Sequence, residues 1–147
     1  MLQPHGQLLL LYLLVLIAAA DVGAYFGGRT FGRRKLAPHV SPGKTWEGVG
    51  GALLGVLAYG IALDWHAHAG PGPLSAIFAP AAGAIVVAAM LGLAGLSVLG
   101  DLFESWMKRG AGRKDSSGLL PGHGGVLDRI DALTPTLPAA ALLLSLA

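Results

Sequence analysis

Residues that could carry out chemistry are concentrated between Ser105 and Asp131, in a chain that is otherwise mostly apolar. Lysines and arginines at positions 108, 109, 113, 114 and 129 are donors suited to phosphate oxygens. Asp115, Asp128 and Asp131 supply hard oxygen ligands of the kind that Mg²⁺ prefers. Six glycines in the same segment would let the backbone approach a ligand closely. The segment therefore predicts a site for a polyanion bound together with a divalent cation, against the alternative of a solvated loop next to a membrane.

The elements that must position this segment have the composition of membrane helices. Of 147 residues, 54% are hydrophobic and 12% are charged, and a mean hydropathy of +0.64 is too high for a soluble domain of this size. We expect an all-α, polytopic integral membrane protein in which residues 1–147 form one membrane-embedded region. About four transmembrane helices are expected, at Leu8–Phe26, at Trp46–Trp65, within Leu74–Leu99 and at Ile130–Ala147.

The distribution of charge predicts the topology. All ten lysines and arginines fall within Arg29–Lys44 or Lys108–Arg129. Because cytoplasmic loops accumulate these residues, we expect both basic segments on the cytoplasmic face of a bacterial inner membrane. Basic loops between apolar spans lack the soluble surface that a nucleic-acid partner requires. Cysteine is absent, which excludes a disulfide framework, a thiolate nucleophile and a cysteine-based zinc site.

Acidic residues at the edges of the spans are further candidates. Asp21 lies near the end of the first span, where a carboxylate is costly unless it faces a protein interior or water, so we weigh a functional role against simple solvent exposure. Asp101, Glu104, Ser105 and Lys108 follow helical spacing and should share one face where the third span meets the membrane surface. The three-residue spacing of the two aspartates at 128 and 131 predicts a second carboxylate pair, on one face at the start of the fourth span.

The first basic segment ends in a group of donors. Ser41, Lys44 and Thr45 precede the second span, and exposed backbone N–H groups at a helix N-terminus favour an anion. The alternative is that they only cap the helix and anchor it at the membrane surface. Within that span, Gly51 and Gly55 have the spacing that lets another helix approach closely.

Four short motifs follow one another along the second basic segment. They are Ser-x-apolar-Lys-Arg at 105–109, Lys-Asp at 114–115, Pro-x-His-Gly-Gly at 121–125 and Asp-Arg-x-Asp at 128–131. With these motifs the chain resembles the CDP-diacylglycerol synthases, also called phosphatidate cytidylyltransferases. The stretches DVGAYFGGRTFGRRKLAPHVSPGKTWEG and GDLFES are also similar to that family. The resemblance covers nearly the whole chain and corresponds to the C-terminal half of a typical member.

The resemblance implies a reaction in which CTP, or dCTP, and phosphatidate give CDP-diacylglycerol and pyrophosphate, with Mg²⁺ as cofactor. Asp101, Asp128 and Asp131 would hold the metal, with Glu104 and Asp21 as further ligands or orienting groups. Together with Lys108, those three aspartates form the expected catalytic set. The expected substrate-binding residues are Ser41, Lys44, Thr45, Ser105, Arg109, Lys114, Asp115, His123, Gly124, Gly125 and Arg129.

Two other functions stay open at this stage. A CTP-dependent kinase of a polyprenol or phytol-type alcohol would share nucleotide-handling features with the synthases. A non-catalytic membrane module, with its acids on an ion path, would not bind CTP at all. The expected partners of the enzyme are the nucleotide, phosphatidate and the surrounding membrane lipid, with a homodimer as an alternative to the monomer.

Overall fold

A computed structural model describes residues 4–68, 83–113, 116–117 and 127–146. In chain order the elements are α1 (Pro4–Phe31), β1 (Lys35–Ala37), β2 (Ser41–Thr45), α2 (Trp46–His68), α3 (Gly83–Gly110), α4 (Leu127–Ile130) and α5 (Leu133–Leu146).

Three helices are long and apolar enough to cross a membrane: Leu10–Phe31, Trp46–His66 and Gly83–Gly110. They confirm the expected polytopic all-α class. The fourth expected span differs, because the chain makes a turn at residues 131–132 and its apolar helix is short, Leu133–Leu143. The backbone N–H of Ala132 donates to the Asp131 carboxylate at 2.7 Å within this turn. Pro135 lies in the first turn of α5, where a missing N–H costs little.

Near the hairpin, α1 and α2 approach each other closely enough for their backbones to touch. A Cβ atom added to Gly23 would overlap the carbonyl group of Gly51, and one added to Gly51 would overlap that of Gly23. One turn further along, a Cβ atom on Gly55 would lie 2.5 Å from the carbonyl oxygen of Ala19. The spacing of Gly51 and Gly55 thus serves close helix packing, as predicted. We call this contact, made by Ala19, Gly23, Gly51 and Gly55, the glycine seam.

The buried core joins α1, α2 and α3. Its largest side chains include Leu16 and Ile17 from α1, Val56 from α2, and Met90 and Leu93 from α3. Many other large apolar side chains of these helices are exposed, as expected where helices face lipid rather than each other. The core therefore aligns three helices whose remaining surface suits a bilayer.

Helix α5 packs against α3 at a glycine. A Cβ atom on Gly100 would lie 2.5 Å from Cγ of Pro135 and 2.9 Å from the carbonyl oxygen of Asp131. The fully buried hydroxyl of Thr136 donates to the carbonyl of Ala132 at 2.8 Å, so it is satisfied within its own helix. The turn at residues 131–132 is consequently held directly against the polar end of α3.

A short antiparallel hairpin, formed by β1 and β2, occupies the connection that we expected to be a loop. Lys35 pairs with Thr45 and Ala37 with Ser41. Thr45 then caps α2, because its hydroxyl accepts a hydrogen bond from the N–H of Gly48 at 3.1 Å. The expected donors before the second span are therefore held on a strand that leads directly into the helix.

Candidate functional site

A polar cavity lies between α1, the hairpin, α2 and α3. Its volume is about 440 Å³, and its lining includes Asp21, Tyr25, Arg29, Lys44 and Asp101. Volumes of this size are typical of small-molecule sites. A second cavity, of about 240 Å³, lies between α2 and α3 nearer the other end of the helices and is lined mainly by apolar side chains, with Asp64 among its lining residues. The first cavity brings together three of the charged residues singled out from the sequence, Asp21, Lys44 and Asp101, and is the candidate site.

An ion pair joins the hairpin to α3 across this cavity. The ammonium group of Lys44 on β2 contacts Oδ2 of Asp101 on α3. The hydroxyl of Ser105, one turn further along α3, donates to Oδ1 of the same aspartate at 3.5 Å. Asp101 is thus oriented from two sides, and two residues predicted separately, from different segments, meet here.

Two further contacts fix the hairpin in place. Nε of Arg109, near the end of α3, donates to the carbonyl of Val40 in the hairpin turn at 3.4 Å. At the base of the hairpin, the N–H of Arg34 donates to both carboxylate oxygens of Glu47, each at 3.2 Å. These contacts place the beginning of the second basic segment, at Arg109, beside the first basic segment, as expected for this described part.

The polar face of α3 continues from Asp101 toward the C-terminal end of the helix. Glu104 is only 6% exposed, and Nζ of Lys108 lies 3.3 Å from its Oε1 atom. The expected helical face is therefore present, with residues 101 and 105 in contact and residues 104 and 108 paired.

Carboxylates from α1, from α3 and from the turn before α5 converge near the end of the cavity. Asp21 on α1 lies within electrostatic reach of Asp101, Asp131 and Lys44. Asp21 precedes the end of α1 by roughly 15 Å of helix and lies within a candidate membrane span, whereas Asp131 lies outside the spans. Burial raises the pKa of Asp131, and the neighbouring Asp101 carboxylate raises it further. The site therefore concentrates negative charge that a cation would relieve.

The pair at positions 128 and 131 is placed differently from the prediction. Asp128 belongs to the four-residue helix α4, whereas Asp131 lies in the following turn. The two residues thus do not share one face of a continuous fourth span, because the helix is interrupted between them. Of these two, the described side chain is that of Asp131, which reaches the carboxylates of α3.

Several predicted site residues fall outside the described part of the chain. They are Lys114, Asp115, His123, Gly124 and Gly125, together with the side chains of Asp128 and Arg129. Their roles stay predictions. Among the residues that are described, no group of three or more His, Asp or Glu side chains is placed to hold a metal.

Two residues of the cavity lining were not singled out from the sequence. Tyr25 and Arg29 lie one turn apart on α1, and both line the polar cavity. Arg29 belongs to the first basic segment, which also contains Arg33 and Arg34 beyond the end of α1. The four-residue spacing from Asp21 to Tyr25 to Arg29 was the available signal, since it places all three on one helical face.

The fold and the site together define a polytopic helical membrane protein with a charged cavity at one end of its spans. The model of the Cytidylyltransferase family matches residues 2–147, and the chain belongs to this family. The chain is 52% identical over 136 residues to the phosphatidate cytidylyltransferase of Haemophilus influenzae, covering 91% of this chain and 44% of that protein.

The enzyme of the same name from Pseudomonas aeruginosa is 51% identical over 141 residues, which cover 96% of this chain and 49% of that protein. That of Brucella suis is 43% identical over 141 residues, or 96% of this chain and 47% of that protein. The chain therefore spans just under half the length of these relatives.

Proposed function

We propose that this chain is part of the catalytic region of a phosphatidate cytidylyltransferase. In this reaction a phosphate oxygen of phosphatidate forms a bond to the α-phosphorus of CTP, or of dCTP. The bond from that phosphorus to the oxygen bridging to the β-phosphate breaks, so CDP-diacylglycerol forms and pyrophosphate leaves. The relatives that share this sequence are phosphatidate cytidylyltransferases, and the chain spans just under half of their length.

The observation that carries this proposal is the position of the charged cavity. Lys44, Asp101 and Asp21 line a cavity at one end of the candidate membrane spans, where Arg109 of the second basic segment contacts Val40 of the first. A soluble nucleotide and the phosphate of a membrane lipid can reach such a site from opposite sides. Both substrates are polyanions, so catalysis requires mainly positioning and neutralisation of phosphate oxygens.

The cations at the site have distinct surroundings. Lys44 and Lys108 each pair with a carboxylate of α3, so each is fixed in place before substrate arrives. Arg109 lies at the exposed end of α3, where it can meet a nucleotide entering from the aqueous side. A protein nucleophile is not required, because the phosphate of phosphatidate is itself ionised near neutral pH.

The carboxylates of Asp101 and Asp131 fit a Mg²⁺ site. The Asp101 carboxylate adds to the unfavourable negative charge around Asp131, and Mg²⁺ is commonly held by one or two carboxylates together with water and substrate phosphate oxygens. Asp128 would join them, and Glu104 and Asp21 would orient them. When bound, the metal would polarise the phosphoryl group under attack and the leaving pyrophosphate.

The resemblance to the family implies the remaining substrate contacts. Lys114, Asp115, His123, Gly124, Gly125 and Arg129 would complete the nucleotide site, together with Ser41, Thr45 and Ser105. Ser41 and Thr45 lie on β2, and Ser105 contacts Asp101, so all three belong to the end of the molecule that holds the cavity.

The cavity should open toward the cytoplasm of a bacterial inner membrane, because the basic segments lie at its end of the helices. The chain has no cysteine, so single cysteines report sidedness cleanly. Gly43→Cys and Gly110→Cys, where an added Cβ meets nothing within 4 Å, should be labelled from the cytoplasmic side. His66→Cys, at the exposed far end of α2, should be labelled from outside. Labelling of positions 43 and 110 from opposite sides would refute this topology.

Labelled CTP tests the reaction itself. The chain, reconstituted with phosphatidate and Mg²⁺, should transfer label from the α-position into lipid. Transfer from the γ-position would indicate a lipid kinase instead, since a kinase moves the terminal phosphoryl group. Diacylglycerol in place of phosphatidate is the control and should accept neither label. Absence of transfer from either position would contradict catalysis by this chain.

A further inference from the structure

Arg29 is held in a defined position at the rim of the polar cavity. Its Nη1 atom donates to the hydroxyl of Tyr25 at 2.5 Å. The guanidinium also lies 5.7 Å from the centroid of the Tyr25 ring, within range of a cation–π contact. One residue thus provides both an acceptor and a ring face, which restricts the orientation of the charged group.

The charge of Arg29 has no carboxylate partner within the described residues. The other cation in the cavity lining, Lys44, is paired with Asp101. Arg29 contacts a neutral tyrosine instead. The phenol uses one direction of the guanidinium, whose remaining N–H groups can still meet an anion. Of the two described cations that line the cavity, Arg29 is therefore the one available to bind without breaking an ion pair.

The surroundings of Arg29 are apolar on the outer side. Tyr25 is 56% exposed and Phe26 is 61% exposed, and the two rings make an edge-on contact with centroids 5.5 Å apart. Exposed aromatic side chains near the end of a membrane helix are typical of the lipid headgroup level. The guanidinium thus lies where a cavity lined by charge adjoins a surface suited to lipid.

We propose that Arg29, oriented by Tyr25, binds a terminal phosphate group of a substrate at the rim of the cavity. The inference rests on the proposed function, which supplies two candidate sources of that phosphate, phosphatidate and the nucleotide. A guanidinium can donate two parallel N–H groups to a phosphate, which suits it to this role better than an ammonium group. The exposed aromatic residues favour the lipid as the source.

Direct binding tests this assignment without requiring turnover. The chain is reconstituted in phosphatidylcholine vesicles without Mg²⁺, and the dissociation constants of dioleoyl phosphatidate and of CTP are measured separately. Arg29→Ala should weaken phosphatidate binding by about tenfold or more, the usual size of a lost charge-assisted hydrogen bond, with CTP binding unchanged. Arg33→Ala is the matched control, because it removes an equal charge from an exposed position that does not line the cavity.

Two milder variants keep the test decisive if Arg29→Ala does not fold. Arg29→Lys keeps the charge but loses the planar fork, so binding should fall between that of the wild type and the alanine variant. Tyr25→Phe keeps the ring but removes the hydroxyl that holds the guanidinium, and should weaken the same ligand by a smaller factor. If Arg29 only anchored α1 at the membrane surface, Arg29→Lys would leave phosphatidate binding unchanged, and so would Tyr25→Phe.

Each outcome assigns or removes the role. Selective loss of phosphatidate binding supports the lipid as the source, and selective loss of CTP binding supports the nucleotide. Equal effects of Arg29→Ala and Arg33→Ala on binding, or no effect of either substitution, would overturn the proposal. It would also be overturned if the wild type bound neither phosphatidate nor CTP. If the wild type binds but transfers no label from CTP, the proposed reaction fails while the phosphate site stands.

Discussion

Helix α1 meets its two neighbouring spans in different ways. Against α2 it packs backbone to backbone along the glycine seam. Toward α3, near the same end of the molecule, it faces a cavity of about 440 Å³ that is lined by charged side chains. Small residues bring helices together in a membrane, where apolar side chains gain little by leaving lipid. Charged residues in such a region need a cavity or a partner.

The glycine seam holds the helices in position, whereas the cavity holds the residues that we propose for catalysis. The seam fixes α1 on α2, and α2 in turn carries the hairpin through the cap at Thr45 and the contact between Glu47 and Arg34. Asp21 and Lys44 are thereby held on one rigid unit, opposite Asp101 on α3. Substitutions in the seam should affect folding, whereas substitutions across the cavity should affect turnover.

The largest effect is expected at the cavity. Asp101→Asn preserves the size of the side chain but removes the charge that pairs with Lys44 and that we propose for metal binding. Turnover of CTP into lipid should fall by about 100-fold or more, the scale of a lost electrostatic contact at a reacting group. The protein should remain folded, as measured by its elution from size-exclusion chromatography in detergent.

Asp64→Asn is the matched control for this substitution. Asp64 is an acid near the far end of α2 and lines the smaller, mainly apolar cavity. Its replacement should leave turnover within about twofold of the wild type, as is usual for a polar change away from the reacting groups. Equal losses in both variants would remove the distinction between the two ends of the molecule.

The next largest effect is expected at the seam. Gly51→Ala would force a Cβ atom into the backbone of Gly23, and overpacking of this kind costs about 1–3 kcal/mol. Thermal unfolding in detergent should shift to lower temperature. Gly50→Ala is the adjacent control, because its Cβ would meet nothing within 4 Å. Alanine there should be neutral or slightly stabilising, and a similar loss at both positions would contradict close packing at the seam.

A smaller effect is expected where the support meets the site. Thr45→Ala removes the hydroxyl that accepts a hydrogen bond from Gly48, and loss of an N-cap costs about 1 kcal/mol. The same thermal measurement should show a modest decrease in stability. Thr45→Ser retains the hydroxyl and should behave like the wild type. Equal destabilisation by serine would show that the methyl group, rather than the cap, is what matters.

Interactions within one element were the ones that the sequence predicted well. Composition alone indicated a polytopic helical membrane protein. Helical spacing placed Asp101, Ser105 and Lys108 on one face of α3, and the donors before α2 marked its start. In each case the periodicity of a single helix, or the chemistry of its first turn, determines the result. The motif spacing likewise predicted the family that the comparison then showed.

Relations between elements were decided only by the tertiary structure. The contact of Lys44 with Asp101, the pairing of Gly51 with Gly23 and the position of Arg29 at the cavity each join or align residues from different elements. The hairpin and the turn at Asp131 were not predicted, because three- and five-residue strands carry too little periodic signal and because the turn is packed against Gly100 of α3. Helical period fixes which residues share a face, but which faces meet depends on how closely the helices can approach each other.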